Sequence, residues 1–324
     1  MEKIISVVIP TLNRSEYIIA TLEHWREQIR RNEDKVELIV CNNGSSDNTA
    51  QVLTDYHDKN DFFEFVDFQE CVEIEKSFER TIAKAAAKYI ILWGDDDLPF
   101  PYLIDILLGY IDKYPDCGLF HFNRLTGYDK IESLCNLRIL KNEYSTDVIE
   151  YSNVDEFISG HLLDATFISS LMFPKESMTM QLDTSRHYGY NFIVPIYYGA
   201  INRRCIYINY PLCIQRMPIK RAWAEKSPLY RMIGLPNALF DMEKLGIIKD
   251  AQSIWMQQAN STKDFWAVML QAARYRKFYR TKCRQINKYQ YSIRRKIYVY
   301  LIVYLFPDFI YDWSKYVFRK KVNY

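Results

Sequence analysis

Three consecutive aspartates, Asp95, Asp96 and Asp97, follow directly on the apolar segment 89–93 and a glycine. A segment of this composition is typical of a buried strand, so the three carboxylates would be held together at one edge of a sheet. Ionised carboxylates this close repel one another. A divalent cation relieves that repulsion, and Mg²⁺ and Mn²⁺ prefer carboxylate oxygens as ligands. The alternative is a solvated acidic turn, because aspartate is common in turns.

The first 125 residues alternate strand and helix patterns around these aspartates. Amphipathic helices are predicted between strands at 4–9, 36–41, 62–68, 89–93 and 117–122. Asn13 and Glu16 have the spacing of a capping box before the first helix. Repeated βα units predict a parallel sheet with helices on both of its faces.

Polar segments follow three of these strands at the same edge of the predicted sheet. Residues 10–14 come after the first strand, residues 41–47 after the second, and residues 94–97 after the strand at 89–93. Ligands of doubly wound sheets bind at the carboxyl ends of the strands, so we expect the three segments to meet in one crevice. Each segment alone is compatible with an ordinary loop, whereas the three together favour a nucleotide-type ligand.

These same segments resemble glycosyltransferase family 2, whose members have the GT-A fold. Residues 6–14 are similar to the family's opening strand, residues 37–49 to its second motif, and residues 89–97 with Pro101 to its DxD region. The resemblance covers roughly the first 120 residues. It is strongest to transferases that add hexoses or deoxysugars in bacterial O-antigen and capsule synthesis. It implies an α/β fold with a Rossmann-like, mostly parallel sheet and flanking helices.

The resemblance implies a nucleoside-diphosphate sugar donor, with UDP favoured, and bound Mn²⁺ or Mg²⁺. The implied ligands of the nucleotide sugar are Pro10, Thr11, Asn13, Arg14, Asn42, Asn43 and Asp95. The implied metal ligands are Asp96 and Asp97, which would hold the cation against the diphosphate. A cation at that point would neutralise the charge that develops on the leaving diphosphate.

The catalytic base is less clearly marked, because the family's later acidic acceptor motif has no clean match. Family 2 enzymes invert the anomeric centre, so one general base is implied in the middle of the chain, after a strand predicted at 167–173. We prefer Asp183 and His187 as the candidates. His161 and Asp164 are the remaining ones.

The chain has 324 residues, which is long enough for one large domain or two. Its acidic and basic residues are distributed unevenly along the sequence. Residues 1–219 hold 21 basic and 33 acidic side chains, and residues 220–324 hold 21 basic and 7 acidic ones. We therefore expect a GT-A domain at 1–219, with a nucleotide-sugar part at 1–125 and an acceptor part at 126–219. A mainly helical, basic C-terminal region is expected at 220–324.

The basic region contains an apolar run, residues 297–306, between the basic triplets 294–296 and 319–321. The run is too short to cross a bilayer, but its tyrosine and tryptophan neighbours suit an interfacial helix on anionic lipid. A solvated helical surface and nucleic-acid binding are the alternatives. We favour peripheral membrane contact and expect no nucleic-acid partner.

Seven cysteines without CxxC spacing, and no recognisable signal peptide, predict a reduced cytoplasmic protein. Together with the expected membrane contact of the C-terminal region, this predicts a peripheral location at the inner face of the cell membrane. The sequence thus predicts an inverting, metal-dependent hexosyl- or deoxyhexosyltransferase of bacterial surface polysaccharide synthesis, acting on a glycan or polyprenyl-linked acceptor. A nucleotidyltransferase is disfavoured because residues 10–14 lack a glycine-rich triphosphate loop. A catalytically inactive GT-A scaffold is the other alternative, because Asn42 and Asn43 replace the two usual aspartates of the second motif. An amide can nevertheless pair with a uracil base.

Overall fold

The computed structural model describes residues 2–128, 138–139, 146–179, 187–217, 226–290 and 292–305. The chain divides into two compact units. The first unit comprises Met1–Leu182 and Phe192–Ile219, and the second comprises Asp183–Asn191 and Lys220–Tyr324.

The first unit is built on one mixed sheet. Its strands among the described residues are β1 Ile5–Thr11, β2 Val36–Asn43, β3 Glu64–Phe68, β4 Tyr89–Leu92, β5 Leu98–Pro99, β6 Leu119–Tyr128, β7 Arg138–Ile139, β8 Val148–Tyr151, β9 Leu171–Pro174 and β10 Cys205–Met217. They lie in the order β3-β2-β1-β4-β9-β6-β10-β5, with β7 beside β6 and β8 beside β10. β1 to β4 are parallel, and β6 is parallel to β10, whereas β9 runs antiparallel between β4 and β6. The mostly parallel α/β sheet predicted from the sequence is therefore confirmed.

Helices flank this sheet, as the alternating sequence pattern predicts. Those described are α1 Ile18–Arg31, α2 Thr49–His57, α3 Ile74–Ile82, α4 Leu103–Lys113, α5 Val154–His161 and α6 Ile193–Gly199. β1 carries the continuous apolar run of a strand covered on both faces, and Val7 and Val8, which point to opposite faces, are fully buried. Trp25 of α1 meets Trp93, just after β4, edge to face at 4.8 Å between ring centroids. This packing gives the strand ends that carry the polar loops a rigid support.

The second unit is helical in its described residues, which confirms the predicted helical C-terminal region. Its helices are α7 Ser227–Leu229, α8 Leu235–Lys244, α9 Ala251–Ile254, α10 Thr262–Arg274, α11 Arg276–Lys288 and α12 Ile293–Tyr300, with π-helical turns at Tyr230–Gly234, Trp255–Ala259 and Leu301–Leu305. Trp255 is fully buried in this unit, and its indole N–H donates to the Tyr289 carbonyl at 3.1 Å. Within the described ranges, every helix is too short or too polar to traverse a lipid bilayer.

Candidate functional site

The carboxyl ends of the first parallel strands lie side by side, as predicted. Thr11 at the end of β1 is in register with Asn42 of β2, and Asn42 is in register with Asp67 of β3. β4 pairs with β1 on the other side. Thr11 is buried and Pro10 is half-buried. The loops that carry the predicted nucleotide and acidic residues therefore start from neighbouring positions on one edge.

Asn13 ties the loop after β1 to the loop after β2. It has a φ of 55°, and its Oδ1 accepts the N–H of Ser46 at 2.8 Å and the N–H of Asp47 at 3.3 Å. Helix α1 begins only at Ile18 and has no side-chain cap, so the predicted capping box of Asn13 and Glu16 is wrong. Asparagine tolerates this left-handed backbone better than most residues, and its amide joins two loops instead of closing a helix end.

Gly44 allows the loop after β2 to press against the backbone that precedes α3. Its φ is 69°, and a Cβ at this position would lie 2.6 Å from the Cys71 nitrogen and 2.8 Å from the Glu70 carbonyl carbon. Both the backbone conformation and the lack of space require glycine here.

Asn42 and Asn43 are buried, and their amides already have protein partners. Asn42 Nδ2 donates to Asp67 Oδ1 at 2.7 Å. Asn43 Nδ2 donates to the Val72 carbonyl at 2.9 Å, and its Oδ1 accepts from the Arg80 guanidinium. The two residues that were predicted to bind the nucleotide base thus link β2 to Asp67 of β3 and to the segment around Val72 and Arg80 in this structure. Exposed Asp67, near the end of β3, places a carboxylate beside Asn42 that the sequence analysis did not single out.

Arg14 and Asp95 form an ion pair between the loop after β1 and the loop after β4. Arg14 Nε lies 3.3 Å from Asp95 Oδ1, and the Asp95 side chain is 14% exposed. Burial raises the pKa of Asp95 to about 6, against the opposing effect of the Arg14 charge and with a contribution from Asp96. Thr21 of α1 adds a hydrogen bond from its hydroxyl to the Asp95 carbonyl at 3.1 Å. The predicted nucleotide residues Arg14 and Asp95 are thus brought together.

Asp97 is buried, and both of its carboxylate oxygens have protein donors. The Ser169 hydroxyl donates to Oδ2 at 2.6 Å, and the Arg216 backbone N–H donates to Oδ1 at 3.0 Å. Ser169 Oγ also accepts the Gly94 N–H at 2.8 Å. Burial and the neighbouring Asp96 raise the pKa of Asp97 to about 7. Asp97, a predicted metal ligand, therefore anchors the acidic loop, residues 94–97, in this structure.

Asp96 is the partly exposed carboxylate of the predicted metal pair. Burial raises its pKa, whereas the positive charges of Arg14 and Arg216 lower it. Among the described residues, no group of three or more His, Cys, Asp or Glu side chains is arranged to hold a metal. Mg²⁺ in nucleotide sites is commonly held by one or two carboxylates together with phosphates and waters. Asp96, with Asp95 beside it, fits that set of donors.

Arg216 is a site residue that the sequence did not reveal. It lies on β10, where its Nε donates to the Asp96 carbonyl at 3.0 Å and its guanidinium stands 4.9 Å from the centroid of the Tyr17 ring. Nothing local marks it, because it is brought to the acidic loop by the pairing of β10 with β5. With Arg14, it places two cations at the rim of a carboxylate cluster.

Of the two preferred base candidates, the structure describes only His187. His187 belongs to the second unit, is 1% exposed, and its Nε2 lies 2.9 Å from Asp241 Oδ2. The role of His187 as a general base stays a prediction. Asp183 lies outside the described residues.

The two remaining base candidates also have partners. Asp164 Oδ1 lies 3.8 Å from Nη2 of buried Arg124. His161 is fully buried, and its Nε2 lies 2.7 Å from the Tyr151 hydroxyl. Both side chains therefore belong to the packing of the first unit around β6 and β8.

Comparison with known proteins decides the family. The profile of Glycosyl transferase family 2 matches residues 6–153, a range that contains the three polar loops and the acidic cluster. Residues 6–153 belong to glycosyltransferase family 2. The predicted resemblance to this family is therefore confirmed for these residues.

Individual relatives agree with this assignment. Abequosyltransferase RfbV of Salmonella typhimurium is 27% identical over 231 residues, which is 66% of this chain and 66% of that protein. The solved structure of S. aureus TarS 1–349 with UDP-GlcNAc has a TM-score of 0.60 at 12% identity and covers 93% of this chain and 90% of that chain. The mannosyltransferase PcManGT of Pyrobaculum calidifontis, solved with GDP-Man and Mn²⁺, has a TM-score of 0.55 at 13% identity and covers 94% of this chain and 85% of that chain. These structural likenesses show the GT-A fold.

Proposed function

We propose that this glycosyltransferase moves a sugar from a nucleoside diphosphate, with UDP favoured, to a glycan or polyprenyl-linked acceptor in bacterial surface polysaccharide synthesis. The observation that carries the proposal is the partly exposed carboxylate of Asp96, placed near two arginines on a loop that buried Asp97 anchors. Arginines bind diphosphate oxygens, and a carboxylate binds the cation that accompanies them. The name of the Salmonella relative and the nucleotide sugars bound to TarS and PcManGT support the same class of donor.

The residues of the acidic loop would divide the work of donor activation. A bound Mn²⁺ or Mg²⁺ would act as a Lewis acid on the diphosphate. Asp96 would hold that ion, while Arg14 and Arg216 would orient phosphate oxygens through charge-assisted hydrogen bonds. Asp97 would keep the loop rigid, so that little reorganisation is needed when charge develops on the leaving group. Asp95 would lie near the ribose.

We further propose that transfer inverts the anomeric centre, with Asp183 as the base that takes the proton of the acceptor hydroxyl. A carboxylate in this role must be ionised and within hydrogen-bond reach of the hydroxyl. Asp183→Asn should abolish transfer, while the dissociation constant for UDP stays unchanged in calorimetric titration. Retained turnover in this variant would remove the assignment.

Thermal shift with UDP, CDP, GDP and dTDP, each with and without Mn²⁺, tests the donor site. A ligand that binds only the native protein stabilises it by about 2.7 kcal/mol at a hundred times its dissociation constant. We expect one diphosphate to raise the melting temperature more strongly with Mn²⁺. Asp96→Asn should lose that increment, whereas Asp61→Asn, which changes a 95% exposed carboxylate of the first unit, should keep it.

An inactive scaffold and a nucleotidyltransferase, the two alternative functions, would give different results with the same protein. An inactive scaffold would release no nucleoside diphosphate from any nucleotide sugar. A nucleotidyltransferase would be stabilised by triphosphates and would release pyrophosphate. If Mn²⁺ raised the melting temperature of the nucleotide complex equally in wild type and in Asp96→Asn, the proposed role of Asp96 would be contradicted.

We also propose that α12 and the turn after it contact anionic lipid. Ile293, Ile297, Leu301 and Leu305, spaced by four residues on one helical face, are 76%, 50%, 43% and 69% exposed. The surrounding region is strongly basic, with 21 basic and 7 acidic residues in 220–324. An exposed apolar stripe in a basic region matches an anionic bilayer surface in both polarity and charge.

Co-sedimentation with phosphatidylglycerol vesicles tests the lipid contact. The double variant Ile297→Glu with Leu301→Glu should lose most of its vesicle binding, because each carboxylate would have to enter the headgroup region. Ile74→Glu is the matched control, since Ile74 is 48% exposed on α3 of the first unit. Undiminished, salt-sensitive binding of the double variant would refute this contact.

A further inference from the structure

The second unit contains a small cavity with a mixed aromatic and polar lining. Its volume is about 170 Å³, and the side chains around it are Tyr190, Ser227, Tyr230, Arg231, Ala267, Val268 and Gln271. This volume is well above the roughly 10–15 Å³ that a single water needs. It is below the roughly 300–1,000 Å³ of sites that take drug-sized ligands. The space therefore suits a ligand of about one ring.

One wall of the cavity is held in place by unusual backbone. Tyr188 has a φ of 42° and Gly189 a φ of 71°, two successive left-handed residues directly before Tyr190. Left-handed conformations of bulky residues are costly and persist where the surroundings fix them. Gly189 lies against the Tyr230 ring, since a Cβ there would stand 3.4 Å from Tyr230 Cδ1. The two tyrosines that line the cavity are thus positioned by the same contact.

The facing wall begins in the π-helical turn Tyr230–Gly234, which supplies Tyr230 and Arg231. This turn packs tightly on the segment that carries Tyr190, because a Cβ on Gly234 would lie 2.1 Å from the His187 carbonyl oxygen. The contact between buried His187 and half-buried Asp241 holds the same segment. π-helical turns are rare and are often found at functional sites. These contacts give the cavity a preorganised shape.

The lining has the chemistry that a sugar ring requires. Tyrosines offer apolar faces for the C–H groups of the ring and hydroxyls for its oxygens. The serine, arginine and glutamine add hydrogen-bonding groups directed at one small volume. Gln271 Oε1 is buried, with no hydrogen-bond partner among the described residues. A buried acceptor without a partner costs stability, so a ligand hydroxyl that donates to it would be favoured.

We propose that this cavity is a subsite for a single sugar ring of the glycan acceptor, an inference that rests on the proposed transferase function. The Arg231 guanidinium and the Gln271 amide would select neighbouring ring hydroxyls, and Tyr190 and Tyr230 would select the ring face.

Saturation-transfer NMR on the full-length protein tests this subsite without any nucleotide. The probes are the methyl glycosides of mannose, galactose and rhamnose, each at about 10 mM, which detects affinities near millimolar. At least one should receive saturation from the wild type. Ala267→Trp fills the cavity from an exposed helical position and should weaken that glycoside's binding by about tenfold or more, a loss of about 1.4 kcal/mol. Gln252→Trp, at an exposed position of α9, should leave it unchanged.

Gln271→Met provides a second variant that separates recognition from folding. Removing an acceptor that has no hydrogen-bond partner in the part of the chain that the structure describes should leave the melting temperature unchanged or higher, whereas glycoside binding should fall. If Gln271 is merely structural, binding stays the same, and the inference is overturned. The inference is also overturned if no glycoside receives saturation from the wild type. It is overturned as well if the cavity binds phosphate, which would broaden the ³¹P line of inorganic phosphate in the wild type and not in Arg231→Ala.

The nucleotide experiment above keeps this inference separate from the proposed function. Stabilisation by a nucleoside diphosphate with Mn²⁺ but no glycoside binding would leave the donor site standing and refute the subsite. Glycoside binding that Ala267→Trp removes, without stabilisation by any nucleotide, would support the sugar site and refute the proposed donor chemistry.

Discussion

Removing the Ser169 hydroxyl should destabilise the first unit in a pH-dependent way. Ser169 is fully buried and joins two groups of the acidic loop, the Asp97 carboxylate at 2.6 Å and the Gly94 N–H at 2.8 Å. A hydrogen bond to an ionised group contributes about 1.5–3 kcal/mol, and an unsatisfied buried N–H costs about 1–3 kcal/mol. We therefore expect Ser169→Ala to lower the free energy of unfolding by about 3–5 kcal/mol when Asp97 is ionised.

The pH dependence follows from the raised pKa of Asp97. In the unfolded chain this group ionises near pH 3.8, whereas in the native protein it keeps its proton up to about pH 7. The native state therefore binds more protons between these values, so its stability falls as the pH rises through that window. Ser169 stabilises the ionised form. Its loss should raise the pKa further and cost about 1 kcal/mol more at pH 8 than at pH 5.

Urea unfolding at pH 5 and pH 8 in the presence of a chelator would measure this effect. Unfolding should be followed by hydrogen exchange of peptides from β4 and β9, because these peptides report the stability of the first unit separately from that of the second. Ser170→Ala is the matched control, since Ser170 is equally buried but donates to the Phe167 carbonyl at 2.9 Å. It should cost about 1 kcal/mol at both pH values. Equal losses for Ser169→Ala at the two pH values, or a loss no larger than that of the control, would refute the reasoning.

Three further predictions concern the loops around the acidic cluster. Gly44→Ala should cost about 1–3 kcal/mol and weaken nucleotide binding in calorimetric titration, whereas Gly109→Ala, in α4 where a Cβ meets no atom within 4 Å, should be neutral or stabilising. Arg216→Ala should raise the KM for the nucleotide sugar by about tenfold and spare the melting temperature; an unchanged KM would remove Arg216 from the donor site. Asn42→Asp would bring two carboxylates together at the present 2.7 Å contact with Asp67, and should lower the free energy of unfolding by about 1–3 kcal/mol at pH 8. Adding Asp67→Asn should restore that stability. If the two substitutions instead have additive effects on the free energy of unfolding, the pairing is contradicted.

The motifs of the nucleotide edge could be predicted because they depend on short stretches of chain. Apolar runs that alternate with amphipathic helices predict parallel strands, and loops that follow such strands meet at one edge whatever the rest of the chain does. This rule placed Arg14 near Asp95, and the two form an ion pair. It did not single out Asp67, because this residue lies inside the third predicted strand, 62–68.

The pattern did not reveal how each polar side chain is used. Asn13 has the spacing of a helix cap, yet it accepts hydrogen bonds from the next loop, because two adjacent strand ends bring that loop closer than the helix end. His187 is typical of a catalytic residue in type, and the structure gives it a partner that the sequence pattern did not reveal, Asp241 at 2.9 Å. Local sequence gives the type of a group and not its partner.

The sequence by itself determined the parallel alternation, the family of the domain and the place of the acidic cluster on the chain, since each depends on residues within a few turns of one another. Only the tertiary structure decided which aspartate is buried and which is open. The partners of Asp97 are 72 and 119 residues away in sequence, and they arrive through β9 inserted beside β4 and β10 paired with β5. Burial and hydrogen bonding are properties of these distant contacts, and they set the charge and the exposure of otherwise identical side chains.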